Sequence, residues 1–191
     1  MAETLSKKMT VDEFFEWQKR QDRNYELVDG VPVLTVKAMT GATVRHDTVT
    51  VNAISNLFSR LRGTSCRPRT SDQSVLTFRG TRRPDISIEC GKPDDRSMAT
   101  KEPRVVIEIL SPSTTRYDRF QKLEEYKLHP AIKVILLVDT GQPRVTVWRR
   151  GDSGWGNHEE AGMEAVIDLP EIGTVLPLAD LYLDVDFTQL E

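Results

Sequence analysis

The chain carries only two cysteines, Cys66 and Cys90, neither of them in a CxxC pair nor beside a histidine cluster. Neither a zinc site nor a disulfide framework is therefore indicated, and both cysteines are expected to be reduced and structural. No apolar run approaches the roughly 18 residues that a membrane helix needs, so a membrane partner is not expected. The opening Met1-Ala-Glu-Thr-Leu-Ser-Lys-Lys-Met-Thr10 has no apolar core or small-residue cleavage site of a signal peptide, which makes the cytoplasm the expected location. A Ser-His-Asp hydrolase is disfavoured because the sequence has no nucleophile elbow and no suitably placed serine. A formal net charge of -3 provides no global field to draw in nucleic acid. There is no internal repeat or low-complexity segment.

What is present fits one domain over residues 1–191, with 38% hydrophobic and 29% charged residues and enough length to bury a sizeable core. Arginines cluster at Arg60, Arg62, Arg67 and Arg69 and again at Arg79, Arg82 and Arg83. They are expected to form a solvated face, and any nucleic-acid surface must be local.

Thr10-Val-Asp-Glu13 is a capping-box start for a short helix ending near Arg20. Asp29-Gly30 separates two β-type segments, Tyr25 to Val28 and Val31 to Val36, and predicts a hairpin that carries Glu26. Apolar residues at three- and four-residue spacing from Val44 to Leu61, stopped by Gly63, predict the longest helix. Residues 65–78 have β character, Arg83 to Cys90 alternates as a half-buried strand should, and residues 91–103 form a loop. Arg104-Val-Val-Ile-Glu-Ile-Leu110 then reads as an interior strand with Glu108 inside it, and an ionised acid there requires a partner. Ser111 to Thr115 caps a helix running to Leu128, and Lys133 to Val138 is a second buried strand, so this unit is a βαβ crossover with parallel strands. Val145 to Trp148 and Ala165 to Leu169 add strands, Leu178 to Tyr182 a helical turn, and His158 falls in a polar loop. The fold class is therefore α/β with α+β character, a central mixed sheet flanked by helices.

Three residues in this order make a chemically coherent set. Asp85 and Glu108 are oxygen donors on neighbouring strands, and a hard cation such as Mg²⁺ is usually bound by one or two carboxylates completed by water and substrate phosphate. On the following helix Asp118, Lys122 and Tyr126 share one face, so the compact charge of Lys122 can turn toward the site and stabilise a phosphoryl-transfer transition state. An ordinary surface ion pair between Asp118 and Lys122 is the competing account. Glu26 is either a surface acid or a third acid that binds a second metal or positions water, and His46 is either a helix cap or a substrate contact.

The combination of Tyr25-Glu-Leu-Val-Asp-Gly30, His46, Arg83-Pro-Asp85, Val106-Ile-Glu-Ile-Leu-Ser-Pro-Ser113, Asp118, Lys122, Tyr126 and the strand from Lys133 to Asp139 resembles the PD-(D/E)xK restriction-endonuclease-like superfamily, specifically its Uma-type branch, through most of the chain. The general superfamily pattern has a lysine two residues after the second acid, where this chain has Leu110. The Uma-type branch is similar in lacking that lysine and looks to use one relocated to the next helix, which corresponds to Lys122. The resemblance implies a restriction-endonuclease-like sheet, Asp85 and Glu108 holding Mg²⁺ or Mn²⁺ with the carbonyl of Ile109, Glu26 as accessory acid, Lys122 assisting water or the transition state, and a homodimer. The expected function is metal-dependent endonuclease cleavage of nucleic acid, with DNA as the expected substrate. The alternative is a catalytically inactive nuclease-like fold that binds nucleic acid or itself. Glycoside hydrolysis by the two acids ranks lower, because no tryptophan adjoins them in sequence and Lys122 would have no role.

Overall fold

The computed structural model describes residues 8–35, 42–110 and 116–188, with residues 116–119 as backbone alone. The proposed cap at Ser111 to Thr115 and the side chain of Asp118 lie outside the described residues. The first helix, α1 (Val11–Gln18), opens with both bonds of the predicted capping box: Glu13 N–H donates to Thr10 Oγ1 and Thr10 N–H donates to the Glu13 carboxylate. Strands β1 (Tyr25–Val28) and β2 (Val31–Leu34) follow as the expected antiparallel hairpin, with Asp29 and Gly30 at positive φ as a tight two-residue turn requires. The long helix α2 (Val44–Arg60) is N-capped by Thr43, whose hydroxyl accepts from His46 N–H.

Short strands β3 (Cys66–Thr70), β4 (Ser74–Thr77) and β5 (Gly80–Arg82) lead into β6 (Ile86–Cys90). Beyond these come β7 (Ala99–Thr100), β8 (Pro103–Leu110), helix α3 (Arg116–Leu128) and β9 (Val134–Asp139). The chain continues through β10 (Arg144–Gly151), β11 (Gly154–Ala161), β12 (Val166–Leu169), β13 (Thr174–Pro177) and the single-turn helix α4 (Leu178–Leu181). Strand β5, the two-residue β7 and strands β11 and β13 were not expected, and His158 lies on edge strand β11 rather than in a loop.

The strands form a six-stranded sheet in the order β11-β10-β9-β8-β6-β3, a five-stranded sheet in the order β2-β1-β5-β4-β7, and a β12-β13 pair. Strands β8 and β9 are parallel neighbours joined through α3, while β6–β8 and β9–β10 are antiparallel, so the large sheet is mixed. Alternation along β8 divides its side chains between two layers. Val105, Ile107 and Ile109 enter the larger core with Val49, Ala53 and Leu57 of α2; Val106 enters a smaller core with Leu123 and Tyr126 of α3 and Val75 of β4. The five-stranded sheet thereby reaches the α3 side. Its seating depends on Gly80, because a Cβ there would come within 2.2 Å of the Leu27 carbonyl oxygen, and its φ of +139° suits only glycine.

One expectation fails outright. Cys66 and Cys90 are bonded to each other as a disulfide, not reduced. They are direct partners in the antiparallel β3–β6 register, which turns a separation of 24 residues into a Cα–Cα distance of 4.0 Å. Sequence spacing carries no trace of that pairing. No helix among the described residues is long and apolar enough to cross a membrane.

Candidate active site

The β6–β8 register pairs Ile86 with Ile107, so Asp85, one step before β6, falls opposite Glu108. Asp85 is buried, and its Oδ2 accepts a 2.6 Å hydrogen bond from the amide of Ile109, which fixes the carboxylate to β8 itself. Its Oδ1 lies 3.5 Å from His46 Nε2 in the first turn of α2. The Thr43 cap sets where that turn begins, and Thr50 Oγ1 stands 3.4 Å from His46 Nδ1, so the imidazole is lodged between its own helix and Asp85. His46 is thus a buried neighbour of an acid rather than a cap, the cap being Thr43.

Glu108 shares the α3 side of β8 with Val106, and its Oε1 accepts a 2.8 Å hydrogen bond from the hydroxyl of Tyr126. Burial, reinforced by the negative charge of Glu108, pushes the Tyr126 phenol well above its ordinary value of 10.0. The phenol therefore stays protonated and remains a donor at neutral pH.

Lys122 stands one turn before Tyr126 on the same face of α3. Its Nζ is 2.9 Å from Oε1 of Glu26 on β1. Glu26 is 5% exposed and is far from a surface acid. Besides Lys122, its Oε1 accepts from the backbone N–H of Arg83 at 2.9 Å, and its Oε2 accepts from Arg82 Nη1 at 3.1 Å. Burial raises the Glu26 carboxyl, but the charges of Lys122 and Arg82 and the Arg83 amide outweigh it, leaving the group below its ordinary 4.5. Both oxygens are engaged by donors, one of which is Lys122.

Two residues of this cluster were not anticipated. Arg82 is 3% exposed, not part of a solvated face, because the β1–β5 register that pairs Leu27 with Thr81 sets it beside Glu26. Its Nε and Nη2 reach the two oxygens of Glu125 on α3, at 2.8 and 2.5 Å, a bidentate pair that Thr77 Oγ1 completes at 2.9 Å. Burial opposes the Arg82 charge, yet Glu125 and Glu26 more than compensate and hold it firmly protonated. Arg83 is buried as well, with its guanidinium spent on the carbonyls of Tyr25, Ser71 and Asp72. The available signal was alternation: Arg82 follows Gly80 at the strand period, and Glu125 follows Lys122 at helical spacing.

Among the described residues no group of three or more His, Cys, Asp or Glu side chains is arranged to hold a metal ion. The chain's contribution to a cation would thus be the two carboxylates Asp85 and Glu108, each anchored through one oxygen by a neutral donor. That number and chemistry match a hard divalent ion, which takes its remaining ligands from water and substrate phosphate.

The chain is 29% identical over 150 residues to the uncharacterized protein slr1290 of Synechocystis sp., spanning 77% of each chain. It is 24% identical over 174 residues to the uncharacterized protein sll1609 of the same organism, covering 88% of this chain and 96% of that one. Its fold matches the crystal structure of a putative nuclease belonging to DUF820 from Anabaena variabilis with a TM-score of 0.73 at 18% identity, over 91% of this chain and 97% of the other. The Uma2 family, described as "Putative restriction endonuclease", matches residues 11–179, which take in every residue of the site just built, and the chain belongs to that family.

Proposed function

We propose that the protein is a metal-dependent endonuclease that hydrolyses phosphodiester bonds of DNA, with Asp85 and Glu108 as the ion-binding acids and Lys122 as the catalytic cation. The observation that carries this reading is the convergence of a helix-borne lysine and a strand-borne acid on the same side of β8, with Lys122 held by Glu26 and Glu108 held by Tyr126 from the same face of α3. A divalent ion, when bound, neutralises charge on the phosphodiester and activates the attacking water. The chain's own groups do the rest. Asp85 and Glu108 are fixed in orientation by the Ile109 amide and the Tyr126 hydroxyl, and the carbonyl of Ile109 is a further candidate oxygen donor. Lys122 supplies positive charge where negative charge develops on the transferring phosphoryl group, an interaction strongest in the transition state. Glu26 orients that ammonium, and His46 braces Asp85.

Nicking of supercoiled plasmid by the purified protein in Mg²⁺, Mn²⁺ or EDTA tests the reading. Cutting is expected with metal and none in EDTA, and Asp85→Asn and Glu108→Gln are each expected to lower it about 10³-fold. Full cutting by either variant would overturn the assignment. A second reading, a nuclease-like fold that binds nucleic acid without turnover, is favoured by Leu110, which occupies the strand position where the superfamily lysine is expected. It requires DNA binding with no product under any metal. Self-association through the exposed edge strand β11 is a further expectation, checked by solution mass.

A further inference from the structure

Four charged side chains are packed together between α3 and the five-stranded sheet: Glu26 and Glu125, Arg82 and Lys122. The signs balance, but the pairing is not the one that sequence proximity favours. Lys122 and Glu125 are three residues apart on one helix, a spacing at which lysine and glutamate ordinarily pair. Instead Lys122 reaches across to Glu26, 96 positions away in sequence, while Glu125 is bound through both oxygens by Arg82. Thr77 takes a further place on Glu125 Oε2, and Arg79 Nη1 stands 3.8 Å from its Oε1. Glu125 is 1% exposed and cannot be satisfied by bulk water.

We infer that Arg82 is a positioning residue: by occupying both oxygens of Glu125 it removes the local competitor for Lys122 and leaves that ammonium directed at Glu26 beside Glu108. An arginine is required because its planar fork engages one carboxylate through two nitrogens and still offers a third to Glu26. Without it, a buried carboxylate on the same face of α3 keeps only Thr77 and, at 3.8 Å, Arg79, whose Nε and Nη2 are already held by Asp29, and Lys122, one turn away on the same helix, is the cation left to swing to it. Lys122 then leaves the site although its own sequence and helix are unchanged.

The activity part of the test rests on the nuclease reading; the structural part does not. Crystal structures and metal-dependent plasmid nicking are compared for wild type, Arg82→Met, Glu125→Gln and the double variant. In Arg82→Met, Lys122 Nζ is expected within hydrogen-bond distance of Glu125 instead of Glu26, with nicking reduced about 10²-fold, the scale of a misplaced catalytic group. In the double variant the competing charge is gone, so Lys122 is expected back on Glu26 and nicking within a few-fold of Glu125→Gln. A purely structural role for Arg82 predicts no such rescue. The inference is overturned if Lys122 stays on Glu26 in Arg82→Met with nicking unchanged, or if the double variant folds with Lys122 still displaced. Should Arg82→Met not fold, the double variant alone decides, because it has lost the same guanidinium. If wild type cuts no DNA under any metal, the nuclease reading fails and the position of Lys122 in the variants still decides the inference.

Discussion

On the α2 face of the six-stranded sheet, Val105, Ile107 and Ile109 meet Val49, Ala53 and Leu57, all of them apolar and all buried. On the α3 face the same strand presents Val106 and Glu108, and the layer above it contains Lys122, Glu125 and Tyr126, with Glu26 and Arg82 arriving from the smaller sheet. Removing these charges from water is expensive, and replacing a buried ion network by well-packed apolar residues is often neutral or stabilising. The α2 face shows that this chain can build an apolar layer. Charge retained on the other face, and satisfied through a bidentate arginine and cross-sheet bonds, supports the proposal that this face carries the chemistry. Apart from the His46–Asp85 contact at the start of α2, one face holds the sheet together and the other carries the charged cluster.

This contrast can be broken from either side. The largest effect is expected for Glu108→Gln, which keeps the shape and the Tyr126 contact but removes the charge proposed to bind the ion. Nicking should fall about 10³-fold, equivalent to the several kcal/mol that a metal's charge stabilisation supplies, with little change in Tm. A Tm loss without activity loss would place Glu108 among the structural residues. On the opposite face, Leu57→Ala should cost about 2–5 kcal/mol in urea unfolding while kcat per folded molecule stays near wild type. Loss of kcat in a fully folded sample would show that the two faces are not separate.

Smaller effects probe how the charged face is held. Tyr126→Phe removes the donor to Glu108 and should cost about 10–100-fold in metal affinity or activity, measured by Mg²⁺ titration of the nicking rate. An unchanged Mg²⁺ dependence would show that Glu108 needs no anchor. The Glu26 carboxyl, held below 4.5 in the folded protein, contributes stability that is complete above that pH and is lost as pH falls through its folded value. Wild type should therefore exceed Glu26→Gln in Tm at pH 7, and the gap should narrow below pH 4.5. A gap constant from pH 7 to 3 would mean that Glu26 is not ionised by its partners.

Legibility in the sequence followed the range of the interaction. The βαβ unit was readable because β8 is a nearly continuous apolar run, α3 stops at Leu128 before His129-Pro130, and β9 is apolar again. The hairpin was readable from Asp29-Gly30. By contrast β5 is three residues long and exists because Gly80 lets it approach Leu27, a tertiary event with no local pattern. Strand β11, Gly-Trp-Gly-Asn-His-Glu-Glu-Ala, has no apolar alternation because it is an edge with mostly exposed side chains, and it forms by pairing along all of β10. The disulfide was hidden for the same reason, since only the β3–β6 register brings Cys66 to Cys90. Helical spacing alone was enough to put Lys122 and Tyr126 on one face of α3, where they meet Glu26 and Glu108. Arg82 and Glu125 looked like two surface charges among many until the smaller sheet brought them together.

The most direct test of the account is metal-dependent plasmid nicking by Lys122→Ala beside wild type, with Tm measured on the same samples. The account predicts a loss of about 10²–10³-fold, the scale of removing one preorganised charge from a transition state, in a variant that remains folded. Nicking at the wild-type rate by folded Lys122→Ala would contradict it, because the helix-borne lysine would then have no part in the chemistry.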